Sequence, residues 1–209
     1  MYYFRIKERE AQIMLKHIAD ISAGYPFRGK IPEVMNSSVL VIQMKDISSD
    51  THIVWDSCTP TTLTGKRDPG FLLPSDILVA ARGNHNYAVQ VGDILHADCN
   101  QAVAAPHFFV VRIKQQNVLP EFLVWLLNQA PCQRYFEQNA EGSMAKSIRR
   151  NVLDTTPIVL PSLAKQRTIA AMASTLRAEQ TLLQDLIING EHMMNALATD
   201  LFANTEVAQ

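Results

Sequence analysis

The side chains of this sequence best suited to chemistry are cations, amides and hydroxyls gathered in four short stretches. Residues 27–30 (FRGK) set Arg28 and Lys30 on either side of a glycine. Residues 61–68 (TTLTGKRD) hold Lys66 and Arg67 beside hydroxyls. Residues 82–87 (RGNHNY) gather Arg82, Asn84 and Asn86, and residues 142–150 (GSMAKSIRR) gather Ser143, Lys146, Ser147 and Arg149. Lys and Arg suit phosphate contacts, whereas Arg, Asn and Gln have the donor and acceptor pattern to read base edges. The last stretch is the strongest candidate, because Gly-Ser at a helix start would present backbone N–H groups to a phosphate. Each stretch also has a plainer reading. Arg28 and Lys30, or Lys66 and Arg67 next to Asp68, suit a solvated turn, and 82–87 suits a hairpin with Asn84 left-handed.

Catalytic constellations are missing. The sequence has no G-x-S-x-G, no G-x-x-x-x-G-K-[ST], no G-x-G-x-x-G and no H-E-x-x-H. The triplet Arg82-Gly83-Asn84 follows an apolar run, but no second glycine is there to cradle a phosphate. His96, Asp98 and Cys99 (HADC) lack a partner at metal-ligand spacing. Asp93 and Asp98 do not sit in the carboxylate–lysine pattern of a magnesium nuclease. The expectation is a protein that is not an enzyme and holds no metal or cofactor. Cys58, Cys99 and Cys132 are widely spaced with no C-x-x-C, as expected of reduced thiols in a cytoplasmic protein. The opening MYYFRIKEREAQ reads as no secretory signal, and no run of about 18 apolar residues suggests a membrane span.

The elements that must position these stretches divide the chain in two. With 209 residues, 47% hydrophobic and 19% charged, it suits one domain, or one domain and an extension. The formal net charge is −1, which alone argues against a strongly cationic nucleic-acid binder. The basic residues concentrate early, with 16 Lys and Arg against 14 Asp and Glu in residues 1–150 and 3 against 6 thereafter. Strand composition marks 38–45 (SVLVIQMK), 51–55 (THIVW), 76–81 (DILVAA), 86–91 and 108–113 (FFVVRI), with prolines and glycines between them. After Pro120 the period changes to helical: 120–127, then 131–141, then a short helix or turn at 146–153. A short strand follows at 156–160. From 165 to 202 a helix about 57 Å long is expected. Ala173, Gln180, Ile187, Met194 and Leu201 share one position of a heptad, and Leu176, Leu183, Gly190 and Leu197 the other. That is the rhythm of a coiled coil. Leu176, Leu183, Ile187, Met194, Leu197 and Leu201 are its candidate dimerisation residues. A helix folded back on the first domain, or two helices broken at Gly190, is the alternative.

Five segments, taken in order, resemble the specificity subunits of type I restriction–modification systems. They are 18–27 (IADISAGYPF), 41–47 (VIQMKDI), 73–83 (LPSDILVAARG), Gly142-Ser143 onward to 157–163 (PIVLPSL), and 165–170 (KQRTIA). Ser75 stands where that family has Gly, and Lys165 where it has Glu. The resemblance covers about residues 16–203. It implies an α+β fold: a mostly β target recognition domain with short helices, 1–160, then a long coiled-coil-like helical region, 161–209. It also implies a non-catalytic, sequence-specific recognition subunit for double-stranded DNA. Such a subunit directs DNA methyltransferase (modification) subunits, and with them the restriction subunit, to a split DNA site. Full-length members carry the unit twice, with paired antiparallel helices. This chain carries it once, so the expectation is a half-sized form acting as a homodimer, with Arg28, Lys30, Lys66, Arg67, Arg82, Asn84, Asn86, Ser143, Lys146, Ser147 and Arg149 toward DNA. The near-neutral charge keeps a second reading open: a coiled-coil protein-interaction module whose degenerate recognition domain does not bind DNA.

Overall fold

Apolar runs too short for helices, broken by proline and turn residues, give the first 160 residues their strands. The computed structural model describes residues 12–35, 37–48, 50–65, 69–83, 85–94, 99–142 and 146–205. The strands are β1 (Gln12–Met14), β2 (Ala19–Ala23), β3 (Val39–Ile42), β4 (Thr59–Pro60), β5 (Ile77–Ala80), β6 (Ala88–Gln90), β7 (Gln101–Ala104) and β8 (Phe108–Ile113). Helices α1 (Pro120–Leu127), α2 (Ala130–Asn139) and α3 (Arg150–Asp154) follow, then β9 (Pro157–Val159) and α4 (Leu163–Thr205). The chain separates into two units, Met1–Ala170 and Ala171–Gln209. This is the α+β architecture expected from the sequence, with mostly β structure before a long helix.

In the first unit, β2, β8, β5 and β6 form an antiparallel sheet in that order, and β4, β3 and β7 form a second. In the second sheet β3 pairs with β7 in parallel, Val39 opposite Gln101 through Ile42 opposite Ala104. The period-2 alternation of strands decides the layers. Ile77 and Val79 of β5 join Val111, Ile21, Leu123, Leu127, Phe136 and Leu153 on the helical side. Leu78 and Ala80 join Val110, Phe108, Leu40, Ile42, Ala102 and Ala104 between the two sheets. Val41 and Val103 face the other way and pack with Tyr25, Phe27 and Leu63. At the junction of the sheets Gly24 donates its N–H to the Phe108 carbonyl at 2.9 Å. A Cβ there would lie 2.1 Å from the Ala105 oxygen, so only glycine fits.

Polar groups fix the ends of these strands. Asp76 is 2% exposed, and Arg112 grips it with two bonds, Nε to Oδ1 at 2.7 Å and Nη2 to Oδ2 at 2.6 Å. The same guanidinium donates to the Phe71 carbonyl at 3.0 Å. The Asp76 hydrogen bonds raise the Arg112 pKa still further. Gln166, fully buried, accepts the Leu119 N–H at 2.9 Å and donates to the carbonyls of Asn117 and Pro161 at 2.9 and 2.8 Å. It thereby caps the start of α1 and ties down the first turn of α4.

Three expectations change. Residues 51–55 form no strand: Thr51 adopts φ 61°, Ser48 and His52 close a tight turn, and a single Ile47–Ile53 bridge and a 3-10 turn at Trp55–Ser57 replace it. The strand expected over 38–45 stops at Ile42, because the Asp46 carboxylate takes the Gln43 N–H at 2.7 Å and starts a 3-10 turn, Met44–Asp46. Such local side-chain bonds compete with the sheet ladder. The strands β1, β2, β4 and β7 lie outside the expected ones, and QAVA of β7 carries only one β-branched residue. The long helix, by contrast, runs continuously through Gly190.

Ser75 has φ 76°, in the left-handed region where a Cβ costs about 1–2 kcal/mol. Ser75→Gly is expected to stabilise the fold by about 1 kcal/mol, after the extra backbone entropy that glycine loses. Urea unfolding of the two proteins checks this. Burial also pushes the Cys58 thiol up to about 12, with the Asp46 carboxylate adding to the shift, and the Cys132 thiol up to about 11. A raised thiol pKa keeps the unreactive protonated form dominant, since the thiolate is the nucleophile. At about pH 8, near the ordinary thiol pKa, iodoacetamide should leave both cysteines unlabelled in the native protein and label both in urea, read by peptide mass spectrometry.

Candidate nucleic-acid interface

The end of β5 carries the first part of the surface. Ala81 donates to the His107 carbonyl at 2.8 Å and accepts the Ile148 N–H at 2.9 Å. Gly83, at φ 115°, donates to the Lys146 carbonyl at 3.3 Å. Arg82 and Ser147 form a β-bridge, and Ser147 bridges Glu141 through two backbone bonds of 2.9 and 2.8 Å. The turn after β5 and the segment before α3, far apart in sequence, thus become one small ladder. Arg82, Lys146 and Arg149 are exposed on it and Ser147 is half-buried. Arg149 pairs with exposed Glu141 at 2.5 Å. A pair so open to water holds its charge only weakly.

The sequence-based roles within this ladder shift in two respects. Asn86 is buried and donates its side-chain amide to the Ala80 carbonyl at 2.8 Å, so it closes the turn from inside. Gly142 is not at a helix start: α2 ends at Asn139, Gly142 has φ 105°, and α3 begins only at Arg150. The glycine serves the turn into the Glu141–Ser147 bridge instead. Asn84 and Ser143 lie outside the described residues.

Arg28 and Lys30 flank Gly29, at φ 82°, in an exposed bend. Their loop is fixed from beneath by Tyr25, whose hydroxyl accepts the Gly65 N–H at 2.6 Å and whose ring meets Phe27 edge-on at 4.8 Å. Buried Thr61 donates to the Pro32 carbonyl at 2.7 Å. The loop therefore lies beside the segment that leads to Lys66 and Arg67, which themselves lie outside the described residues.

Sequence reasoning missed the group between these two parts. Lys30, Glu33, Gln43, Lys45 and Thr59 line one groove of about 550 Å³. Gln43 donates Nε2–H to the Thr59 hydroxyl at 3.0 Å. The neighbouring Met44 side chain lies 3.3 Å from where a Cβ of Gly83 would be, so the groove adjoins the Arg82 turn. The signal available was the QMKD run itself, whose Gln and Lys were read as the end of a strand.

On α4, Leu176, Leu183, Ile187, Met194, Leu197 and Leu201 are each more than half exposed. Met172, Leu186 and Met193 flank the same seam and are equally open. Among the described residues no cluster of His, Cys, Asp and Glu is arranged to hold a metal ion. His96 and Asp98 lie outside those residues. Among the described residues, no helix is long and apolar enough to cross a membrane.

No protein-family model matches this sequence, and no curated protein does. Solved structures do match. One is a chain from the work titled "Structural basis underlying complex assembly and conformational transition of the type I R-M system", at a TM-score of 0.65 and 15% identity over 90% of this chain. Another is the HsdS subunit from Thermoanaerobacter tengcongensis, at a TM-score of 0.57 and 16% identity over 83% of this chain. This chain spans only 43% and 38% of those two. With its layered β unit and its single long helix, it has the fold of the type I restriction–modification specificity subunits, over about two fifths of such a subunit's length.

Proposed function

We propose that this chain is a half-sized, non-catalytic DNA-recognition subunit of a type I restriction–modification system. The observation that carries the reading is the fold match, at a TM-score of 0.65 over 90% of the chain, to a solved structure of such a system. Residues 1–160 are the recognition domain and 161–209 the helical dimerisation region. Double-stranded DNA lies against the exposed cations of the ladder and the Gly29 bend: Arg82, Lys146 and Arg149, with Arg28 and Lys30. Lys66 and Arg67, which lie outside the described residues, are kept as further phosphate contacts of this proposal. DNA methyltransferase subunits, and with them the restriction subunit, are the protein partners.

The heptad seam supports a homodimer. Burying an aliphatic side chain is worth about 1.5–3 kcal/mol. Six exposed Leu, Ile and Met residues on each of two paired helices therefore give a drive of the same order as the cost of association, about 4–15 kcal/mol. An antiparallel pair puts the N-terminal ends of the two helices at opposite ends, so that each recognition unit meets its own DNA segment. Two-fold symmetry then makes the target two inverted half-sites with a fixed gap. The net charge of −1 favours the competing reading of an interaction module without DNA binding. A gel-shift survey with randomised duplex pools, with and without a methyltransferase subunit, separates the two.

Replacing Lys146 and Arg149 together by Ala should weaken binding at every sequence and flatten the salt dependence by about one unit of slope per lost phosphate contact. Titrations at several salt concentrations check this, and an unchanged slope removes the ladder from the DNA face. Replacing Leu183 and Ile187 by Asp should turn a dimer into a monomer in light scattering and abolish site-specific methylation by the complex. A wild-type monomer at tens of micromolar, or a target without two-fold symmetry, would overturn the dimer.

A further inference from the structure

We propose that the groove between the Lys30 loop and the turn after β3 reads base edges, with Gln43 as the residue that sets sequence preference and Lys45 as a phosphate contact. The inference rests on the DNA-recognition reading above and assigns it residues outside the four cationic stretches. Three features of the groove point to bases and not to a phosphate track alone. Its lining mixes both hydrogen-bonding senses: Lys30 and Lys45 donate, Glu33 accepts, and Gln43 does both. An amide of this kind pairs bidentately with adenine, and a carboxylate accepts from cytosine. The cations sit on a concave surface, which concentrates their field on an anionic ligand.

The second argument is how firmly Gln43 is held. Base reading needs a side chain placed in advance, and this one is fixed at both ends. Its backbone N–H bonds the carboxylate of fully buried Asp46 at 2.7 Å, and its side-chain amide bonds Thr59 at 3.0 Å. One amide proton is thus used and the side-chain oxygen accepts the Asp46 backbone N–H, so this half-buried amide keeps one N–H and one lone pair, the pair of groups that a bidentate contact needs. Asp46 is a positioning residue here: it shapes the turn and touches no ligand. Lys45, next in the turn, is exposed. The third argument is continuity. Met44 packs against Gly83, so the groove joins the Arg82–Ser147 ladder on one side and the Arg28–Lys30 bend on the other. A duplex crossing the ladder and the bend would pass over Gln43.

The test uses the full chain and a randomised duplex pool, with sequence selection and salt titration on the wild type, Lys45→Ala, Gln43→Ala, Gln43→Glu and the Lys146/Arg149 double variant. Lys45→Ala should weaken all sequences about equally and lower the salt slope by about one. Gln43→Ala should cut discrimination at one base pair by roughly ten-fold. Gln43→Glu, which keeps the size but only accepts hydrogen bonds, should change the preferred base at that pair, a result that a merely structural role for Gln43 would not give. Melting temperatures identify any variant that has lost its fold, and Gln43→Glu and Lys45→Ala leave the Asp46 anchor intact. An unchanged selected sequence in Gln43→Glu, together with an unchanged slope in Lys45→Ala, overturns the groove. If the Lys146/Arg149 variant still weakens binding in that case, the DNA-recognition reading survives it. A wild type that selects nothing from the pool overturns both.

Discussion

The burial of both faces of β5 is the constraint on which the first unit depends. All four of its residues are shielded from water, and alternate side chains enter different cores. A sheet apolar on both faces must be covered twice. Helices α1, α2 and α3 cover one side, while β3 and β7 cover the other. The second sheet in turn exposes Val41 and Val103 on its far face, and the Tyr25–Phe27 loop closes over them. Each layer thus creates the need for the next, until a layer is reached whose outer surface is polar.

Polar groups fix where those layers end, and their placement follows the cost of burying a hydrogen-bonding group without a partner. Asp76 enters β5 and is met by Arg112 on β8. Gln166 satisfies a donor and two carbonyls where α1 and α4 begin. Asp46 is less complete: one carboxylate oxygen holds Gln43, while burial raises the pKa of the group. Among the described residues the other oxygen has no partner in hydrogen-bonding geometry. Its net effect is to bend the chain out of β3 and present Gln43 and Lys45 on the surface. The candidate interface is thus built from chain leaving the sheets: the turn after β3, the turn after β5 and the segment before α3.

The unit Ala171–Gln209 obeys a different rule. Its helix is amphipathic by heptad, with Leu, Ile and Met open along one seam and Gln180 and Gly190 within it. Gly190 does not break the helix, because a single glycine in a long, otherwise well-formed helix costs only about 1 kcal/mol. The apolar seam is what an isolated helix cannot satisfy, and it is the physical basis for the self-association proposed above.

Elements whose pattern is long or strongly punctuated are legible from residue order alone. The helix from Pro120 follows from proline at its first turn, β8 from five β-branched or aromatic residues among six, and α4 from some forty residues without proline. Residue order also marked the cations, since charge and flexibility are written locally. Tertiary structure decided which of these meet. Nothing in residues 82 and 147 taken separately says that they face each other across a bridge, because that pairing is set by how the sheets stack. Nothing in Asn86 says that its amide turns inward, and nothing in Gln43 says that it shares a groove with Lys30. Short strands such as β7, and the failed strand at 51–55, lie below the length at which periodicity is informative. There a single hydrogen bond, such as those of Ser48 with His52 and Asp46 with Gln43, outweighs the propensity of four or five residues.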